Sequence, residues 1–303
     1  MKNKNLGVFS ALAAGALWGT VSIFLYGLSD TGLTTMQICF LRSLFSILFV
    51  LGIILAKDKS LLKIKWKDIW LFFCTGCISL TLFDFCYFIT IQQSEASIAV
   101  AFLYTSPVFV AIISRFLFGD KITLQKVLAI VIALIGTFFV SGIFGMNSLP
   151  IKLLLTGVAA GLTYGLYSIF GRIAAGKYSS MTITFYTFVF SALSQLPFAK
   201  FSTLFAPIAA RPVSWLYIIG LALFNTVLPY LLFTLSLGLM ESSKAAVLAT
   251  VEVVAGALFG ILLFHESCTF PKILGLVMII TSTVIMNIDW KKKEKSPKIA
   301  RHS

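Results

Sequence analysis

Charged side chains are scarce in this chain, and acidic ones are the scarcest. Only 12% of the 303 residues are charged, and Asp and Glu together number 11. A soluble domain carries roughly twice that share of charge, whereas 59% of this chain is hydrophobic. One aqueous core cannot bury so much apolar surface, so the composition excludes an ordinary soluble globular protein. The solvent for most of the chain is predicted to be lipid.

Several motifs of catalysis are also missing. The sequence contains no Walker phosphate loop, no dinucleotide-binding glycine fingerprint and no His-Glu-x-x-His zinc motif. Cys74 and Cys77 have the spacing of a redox or metal pair, but no second pair or nearby His completes a site. We therefore expect no catalytic residue, no metal and no cofactor. The net charge of +13 lies between apolar segments, so we expect it to set membrane topology and not to bind nucleic acid.

Ten apolar segments are long enough to cross a bilayer, which takes roughly 20 residues each. We number them spans 1 to 10, over residues 6–28, 34–56, 69–91, 97–118, 124–143, 151–173, 181–200, 214–237, 243–264 and 271–289. This pattern predicts an all-α integral membrane protein with ten transmembrane helices. Residues 291–303 are predicted to form a basic cytoplasmic tail.

Lys and Arg residues are unequally distributed between the two ends of these spans. If the N terminus is cytoplasmic, 19 lie in cytoplasmic segments and four in outer segments, while Arg42 lies inside span 2. Cytoplasmic segments of membrane proteins carry the excess of Lys and Arg. The sequence therefore predicts a multi-pass protein of the cytoplasmic membrane with both termini in the cytoplasm.

A stretch of span 1 recurs in span 6. Residues 13–24 read AAGALWGTVSIF and residues 159–170 read AAGLTYGLYSIF, with seven of twelve positions identical. The same offset of 146 residues aligns Glu95 with Glu241. Such self-similarity at a fixed offset indicates an internal repeat.

The repeat divides the chain into two halves of five spans each. We predict a first repeat over residues 1–145, with spans 1–5, and a second over residues 146–290, with spans 6–10. An odd number of spans forces the second repeat to enter the membrane from the opposite side. Inverted repeats of this kind are associated with alternating-access transporters, whose substrate site lies near the midplane between the halves.

Small residues and prolines mark predicted packing and hinge positions. Glycines spaced four apart let helices approach closely in lipid, and proline removes a helical hydrogen bond and kinks its helix. The residues concerned are Gly15, Gly19, Gly161 and Gly165 in spans 1 and 6, Pro107 in span 4 and Pro229 in span 8.

Aromatic and polar residues near mid-span are the candidates for substrate binding. Trp18 and Tyr164 are repeat counterparts, and an aromatic residue of the interfacial belt would lie nearer a span end. The candidates are Trp18, Tyr87, Tyr104, Tyr164, Asn225 and Glu252. Each has an alternative role in packing or in hydrogen bonding between helices, which the sequence leaves open.

Ionisable residues inside spans are costly in hydrocarbon and therefore informative. Arg42 and Asp84 lie at similar depth in spans 2 and 3, so we predict a buried ion pair that serves helix packing or substrate binding. Glu252 lies in the middle of span 9 without an obvious partner. It is the candidate for proton coupling, with cation binding and a purely structural role as alternatives.

These features together resemble the drug/metabolite transporter superfamily, in its EamA-type branch. The resemblance covers about residues 6–290 and rests on GALWG at 15–19, Arg42, YTSPVF at 104–109 and the span 9 end at Phe264-His265-Glu266. It implies two inverted five-helix repeats around a cavity lined mainly by spans 1, 3, 4, 6, 8 and 9. Family members usually have Glu-Pro where this chain has Glu252-Val253, and that difference weakens the expectation of a kink in span 9.

The sequence thus predicts a secondary transporter that moves amino acids or related small organic compounds by alternating access, outward in the family's usual direction. Import or uncoupled facilitation remains an alternative, and a membrane enzyme or a non-transporting membrane subunit is a remote one. Expected partners are the lipid bilayer and a small-molecule substrate. Proton coupling is left open, as is the choice between monomer and homodimer.

Overall fold

A computed structural model of the chain describes residues 2–93, 96–142, 150–265 and 267–288, without the side chains of residues 2–4, 96 and 97. The described residues form helices and short connections, with no strand among them. The all-α membrane architecture is therefore confirmed. The predicted tail over residues 291–303 lies outside the described residues, as do Glu95 and Glu266.

The predicted spans correspond to the following helices. Span 1 comprises Lys2–Trp18 and Val21–Leu28; span 2, Thr35–Lys57; span 3, Ile69–Phe73, a π-helical piece Cys74–Thr81, and Leu82–Gln93; span 4, Ala96–Leu103 and Ser106–Phe118; span 5, Leu124–Ser141; span 6, Ile151–Ala175; span 7, Ser180–Gln195; span 8, Ser214–Ala222, a π-helical piece Leu223–Val227, and Leu228–Leu239; span 9, Ser242–Ala249 and Val251–Phe264; span 10, Phe270–Asn287.

Nine helical stretches among the described residues are long and apolar enough to cross a membrane. Span 7 is the exception, because its helix Ser180–Gln195 has 16 residues and continues only through one 3-10 turn, Leu196–Phe198. A separate ten-residue helix, Phe201–Ala210, follows it. The count of ten spans therefore stays a prediction, with span 7 the shortest.

Packing between the halves follows a two-fold pattern. Span 1 packs on span 8 and span 6 packs on span 3; span 1 also contacts span 9, and span 6 contacts span 4. When each span is replaced by its counterpart in the other repeat, the contact between spans 1 and 8 becomes the contact between spans 6 and 3. The contact between spans 1 and 9 becomes that between spans 6 and 4 in the same way. Span 2 packs on its own counterpart, span 7, and span 5 packs on its own counterpart, span 10. The two-repeat architecture thus extends from sequence to packing.

Three spans are interrupted near their middles, and a threonine lies at each interruption. Thr20, Thr105 and Thr250 each donate a side-chain hydrogen bond to the carbonyl three residues earlier, over 2.6, 2.7 and 2.7 Å. The same carbonyls also accept the main-chain N–H of these threonines, so the break leaves each of them with two donors in the membrane. Thr105 and Thr250 lie within one residue of equivalent positions in spans 4 and 9. Span 9 is therefore interrupted although it has Val253 where the family usually has proline.

Spans 3 and 8 share a different irregularity. Each contains a π-helical piece, and the two pieces end at equivalent positions, Thr81 and Val227. π-helical segments are rare and occur mostly at functional sites. They shift the register of the following helix, which carries Asp84 in span 3 and Tyr230 in span 8 toward the centre of the bundle.

Candidate functional site

A cavity of about 180 Å³ lies between the two halves, on the side of the bundle away from the N terminus. It extends from mid-span to Leu25 and Thr35, which lie near the end of span 1 and at the start of span 2. Five of the six predicted binding residues line it: Trp18, Tyr87, Tyr164, Asn225 and Glu252. Arg42 and Asp84 also line it, so span 2 contributes to the wall in addition to the expected spans.

An aromatic layer separates this cavity from the opposite side of the bundle. Trp18 makes edge contacts with Tyr164, Tyr230 and Phe233, at ring-centroid distances of 6.4, 5.2 and 5.2 Å. Tyr167 continues the layer, 5.0 Å from Tyr230. A second cavity of about 20 Å³ adjoins the layer and is bordered by residues such as Tyr104 and Ser168. The layer therefore bounds the larger cavity toward the end of the bundle that carries the N terminus.

Glu252 lies at the inner end of the cavity, two residues after the interruption of span 9. The Tyr164 hydroxyl donates a hydrogen bond to Glu252 Oε2 over 3.3 Å. Tyr104, which is buried, also directs its hydroxyl toward this carboxylate. Spans 4 and 6 thus hold the Glu252 side chain from the first and second repeats, respectively.

Arg42 and Asp84 form an ion pair across the wall of the cavity. Arg42 Nη2 donates to both oxygens of Asp84, at 3.2 and 2.9 Å. Gln195 of span 7 donates a further hydrogen bond to Asp84 over 3.0 Å and accepts one from Ser43 over 3.0 Å. The pair therefore belongs to a polar network that connects spans 2 and 3 to the second repeat.

The side-chain amide of Asn225 donates hydrogen bonds to the main chain of span 1. Its Nδ2 donates to the carbonyl oxygens of Leu17 and Trp18 over 3.0 and 2.9 Å. These two carbonyls precede the interruption of span 1 and lack their usual helical partners. Asn225 thus stabilises the interruption and at the same time borders the cavity.

The predicted glycine positions lie where spans cross at close range. An ideal Cβ on Gly15 would lie 2.5 Å from the Ala249 carbonyl oxygen, and one on Gly19 would lie 2.8 Å from the Glu252 carbonyl oxygen. In the other repeat, a Cβ on Gly161 would lie 2.5 Å from the Phe102 carbonyl oxygen, and one on Gly165 would lie 3.2 Å from the Ser106 carbonyl oxygen. At these glycines, spans 1 and 6 therefore lie close to main-chain atoms of the interrupted regions of spans 9 and 4.

The two prolines occupy corresponding places after irregular segments. Pro107 is buried in the first turn of Ser106–Phe118, just after the interruption of span 4. Pro229 is buried in the first turn of Leu228–Leu239, just after the π-helical piece of span 8. Neither lines the cavity, and their positions match those of hinges between helical pieces.

Three ion pairs join the two repeats at the end of the bundle opposite the cavity. Lys177 contacts Asp68 over 2.6 Å and Arg172 contacts Asp120 over 2.6 Å. Lys126 pairs with Glu241. We call these the gate ion pairs. Each links an acidic group of one repeat to a basic group of the other, so the set connects the two repeats at this end.

Sequence reasoning missed the gate ion pairs and much of the aromatic layer. Tyr167 and Phe233 were not among the predicted binding residues, and Asp120 had no predicted partner. One signal was available, because the few acidic residues at these basic span ends are unusual in so positive a chain. Their pairing depends on which spans are neighbours, which no local pattern specifies.

Comparison with known proteins points to one family. The model of the EamA-like transporter family matches residues 5–142 and again residues 151–288. An uncharacterized transporter of Archaeoglobus fulgidus is 28% identical over 92% of this chain and 95% of its own length. The uncharacterized inner membrane transporter YicL of Salmonella typhimurium is 24% identical over 98% of this chain and its whole length.

A solved crystal structure supports the fold independently of sequence. It covers 94% of this chain and 97% of its own, with a TM-score of 0.79 and 18% identical residues. At this low identity the likeness concerns the fold alone.

Proposed function

Because the chain belongs to the EamA-like transporter family, and so is a multi-pass membrane transporter, we propose that it is a secondary transporter that moves a small organic metabolite by alternating access. The observation that carries this proposal is the cavity of about 180 Å³ between the repeats, which extends toward one end of the bundle and is bounded toward the other by the aromatic layer and the gate ion pairs. Alternating access in inverted-repeat proteins works by movement of one repeat against the other around such a site.

The closed end supports a mechanism with two alternative states. The gate ion pairs and the aromatic layer both lie on one side of the predicted binding residues. Opening that end requires the three ion pairs to separate, while the glycine contacts of spans 1 and 6 let the helices move against each other. The interruptions in spans 1, 4 and 9 provide hinges close to the cavity.

The charge distribution supports an orientation for this state. With 19 Lys and Arg residues on the side of the N terminus and four on the other, we propose that both termini are cytoplasmic and that the gate ion pairs close the cytoplasmic end. The cavity then faces the outside of the cytoplasmic membrane. We propose efflux as the physiological direction, with the described state as the one that releases substrate.

Glu252 is the proposed coupling residue. It borders the cavity between the two halves, and both of its tyrosine contacts come from spans that meet at the interruptions. The ionisable groups around it are Cys39, Arg42, Asp84, Tyr87, Tyr104, Tyr164 and Tyr230. Of these, Arg42 and Asp84 carry opposite charges and neutralise each other. A proton that binds Glu252 in one state and leaves in the other would couple transport to the pH gradient.

Replacing Glu252 by Gln should abolish the response of transport to a pH gradient, because the amide cannot exchange a proton. The measurement is counterflow of labelled amino acids and organic cations in liposomes that contain the purified protein, with and without the gradient. We expect saturable flux that the gradient increases at least tenfold in the native protein. The Asp30→Asn variant, which neutralises a carboxylate exposed at 79%, is the matched control and should retain this response.

Saturable flux in the native protein that ignores the gradient would contradict coupling and make the protein a facilitator. Absence of saturable flux for the whole panel would contradict the proposed transport of these compounds.

A further inference from the structure

The formal charges of the groups that line the cavity do not sum to zero when Glu252 is ionised. Among the described residues of its wall, three carry a formal charge: Arg42, Asp84 and Glu252. The first two form an ion pair at 2.9 Å. Glu252 instead contacts tyrosine hydroxyl groups, of which Tyr164 donates at 3.3 Å. With Glu252 ionised, the site therefore holds one negative charge without a cationic partner in the wall.

Aromatic rings surround this carboxylate. Trp18, Phe83, Tyr87, Tyr164 and Tyr230 all line the cavity. Phe83 lies 5.2 Å from Tyr164 and 5.4 Å from Tyr87, so these rings form a continuous wall next to Glu252. Aromatic faces attract cations, and their bodies provide apolar contact for a ring or an alkyl chain. Such a wall is suited to a ligand with one cationic end and an apolar remainder.

The size of the cavity limits the ligand. Its volume is about 180 Å³. Drug-sized ligands occupy pockets of roughly 300–1,000 Å³, so this one suits a molecule with a single small ring or a short chain.

We infer that the cavity selects a small monovalent organic amine, whose ammonium group pairs with Glu252 and whose apolar part packs against the aromatic wall. This inference rests on the proposed transport function and narrows its substrate class. An amine brings the site to neutrality. A zwitterionic amino acid would leave it with a net negative charge, because its own carboxylate joins those of Asp84 and Glu252.

Arg42 offers the strongest argument for the amino acid. Its Nε is buried and has no hydrogen-bond partner among the described residues, so it could donate to a ligand carboxylate. That carboxylate would then share one guanidinium with Asp84, whose two oxygens already accept from Nη2. Charge balance therefore favours the amine, and a pair of ligands that differ only in the carboxylate separates the two cases.

The test compares 2-phenylethylamine with phenylalanine, which have the same ring and amino group. Binding to the purified full-length protein is measured by isothermal titration calorimetry, and flux by counterflow in liposomes. We expect the amine to bind at least tenfold more tightly than the amino acid. Glu252→Gln should weaken amine binding at least tenfold, whereas the matched control Asp30→Asn should leave it unchanged.

A second variant protects the test against misfolding. Glu252→Asp keeps the charge, so it should bind the amine more tightly than Glu252→Gln, and thermal unfolding shows whether each variant is folded. Equal or tighter binding of phenylalanine, or amine binding that Glu252→Gln does not weaken, would overturn the inference. So would the absence of amine binding.

The two readouts separate this inference from the proposed function. Flux of phenylalanine without flux or binding of the amine would overturn the amine class and leave transport standing. Glu252-dependent amine binding without flux would support the amine site and contradict transport.

Discussion

Neutralising either Arg42 or Asp84 alone, as Arg42→Gln or Asp84→Asn, should destabilise the folded protein by about 3–5 kcal/mol, the usual cost of breaking a buried ion pair. Each single change leaves the partner's charge in a poorly solvated site. The double variant should be more stable than either single one, because two facing amides can hydrogen-bond to each other and no charge is left unpaired. The measurement is the unfolding temperature in detergent for the four members of this cycle.

A second ion pair in the same chain provides the control. Arg211 and Asp30 lie 3.4 Å apart, with side chains exposed at 45% and 79%, and exposed pairs contribute only about 0–1 kcal/mol. The same cycle of substitutions there should change the unfolding temperature little. A double Arg42/Asp84 variant as unstable as the sum of the single ones would show that the pair is not the source of the effect.

Adding one methyl group at Gly19 should also be strongly destabilising. A Cβ at this position would lie 2.5 Å from Ala255 Cβ and 2.8 Å from both the Glu252 carbonyl oxygen and the Gly256 nitrogen. Backbone atoms cannot move aside as a flexible side chain can, so Gly19→Ala has to push span 1 away from span 9. Overpacking of this kind costs about 1–3 kcal/mol or more, and we expect reduced yield and a lower unfolding temperature.

Gly52 is the matched control for this substitution. It lies in span 2 with no atom within 4 Å of an added Cβ. Because alanine favours the helix over glycine by about 0.5–1 kcal/mol, Gly52→Ala should be neutral or slightly stabilising. Equal effects of the two substitutions would refute the close contact between spans 1 and 9.

Much of the fold follows from patterns that are local in sequence. Nine of the ten predicted apolar runs correspond to helical stretches long enough to cross a membrane among the described residues, and the repeat is visible because the stretch around Trp18 recurs around Tyr164. Span 7 is the weak point, because its helix is short and ends in a 3-10 turn before a separate surface helix. Hydropathy alone does not mark that ending, which requires the chain at Lys200 to adopt a positive φ of 43°.

The interruption of span 9 shows where a motif misleads. Because Glu252 is followed by Val253 and not by proline, the sequence gives a weaker expectation of a kink there. The structure forms the break with Thr250, whose hydroxyl takes the place of a helical donor. The same hydrogen bond recurs at Thr20 and Thr105, so a mid-span threonine was an available signal.

A similar substitution occurs at the ends of the paired spans 4 and 9. Gly119 ends span 4 in the left-handed conformation with φ 69°, and His265, its counterpart in the second repeat, adopts φ 53°. The fold keeps this turn although a side chain makes it less favourable. The backbone requirement thus persists where the residue type has changed.

The residues that line the cavity were partly predictable, because membrane depth limits where polar groups can lie. Trp18, Tyr164 and Glu252 were selected as mid-span residues, and the structure brings them together. What depth cannot give is the direction in which each side chain points. Asn225, for example, directs its donors to the main chain of span 1, and only the arrangement of neighbouring helices specifies that.

The central claim is that one cavity is exposed to the two sides of the membrane in turn. The direct test replaces the five native cysteines and introduces Val21→Cys, in the cavity wall, then measures its reaction with a membrane-impermeant thiol reagent from each face. With the gate ion pairs intact, we expect Val21→Cys to react with the reagent from the outer face and not from the cytoplasmic face. With Lys126, Arg172 and Lys177 changed to Gln, reaction should appear from the cytoplasmic face and fall from the outer one. Simultaneous reaction from both faces, or no change in the gate variant, would contradict the account.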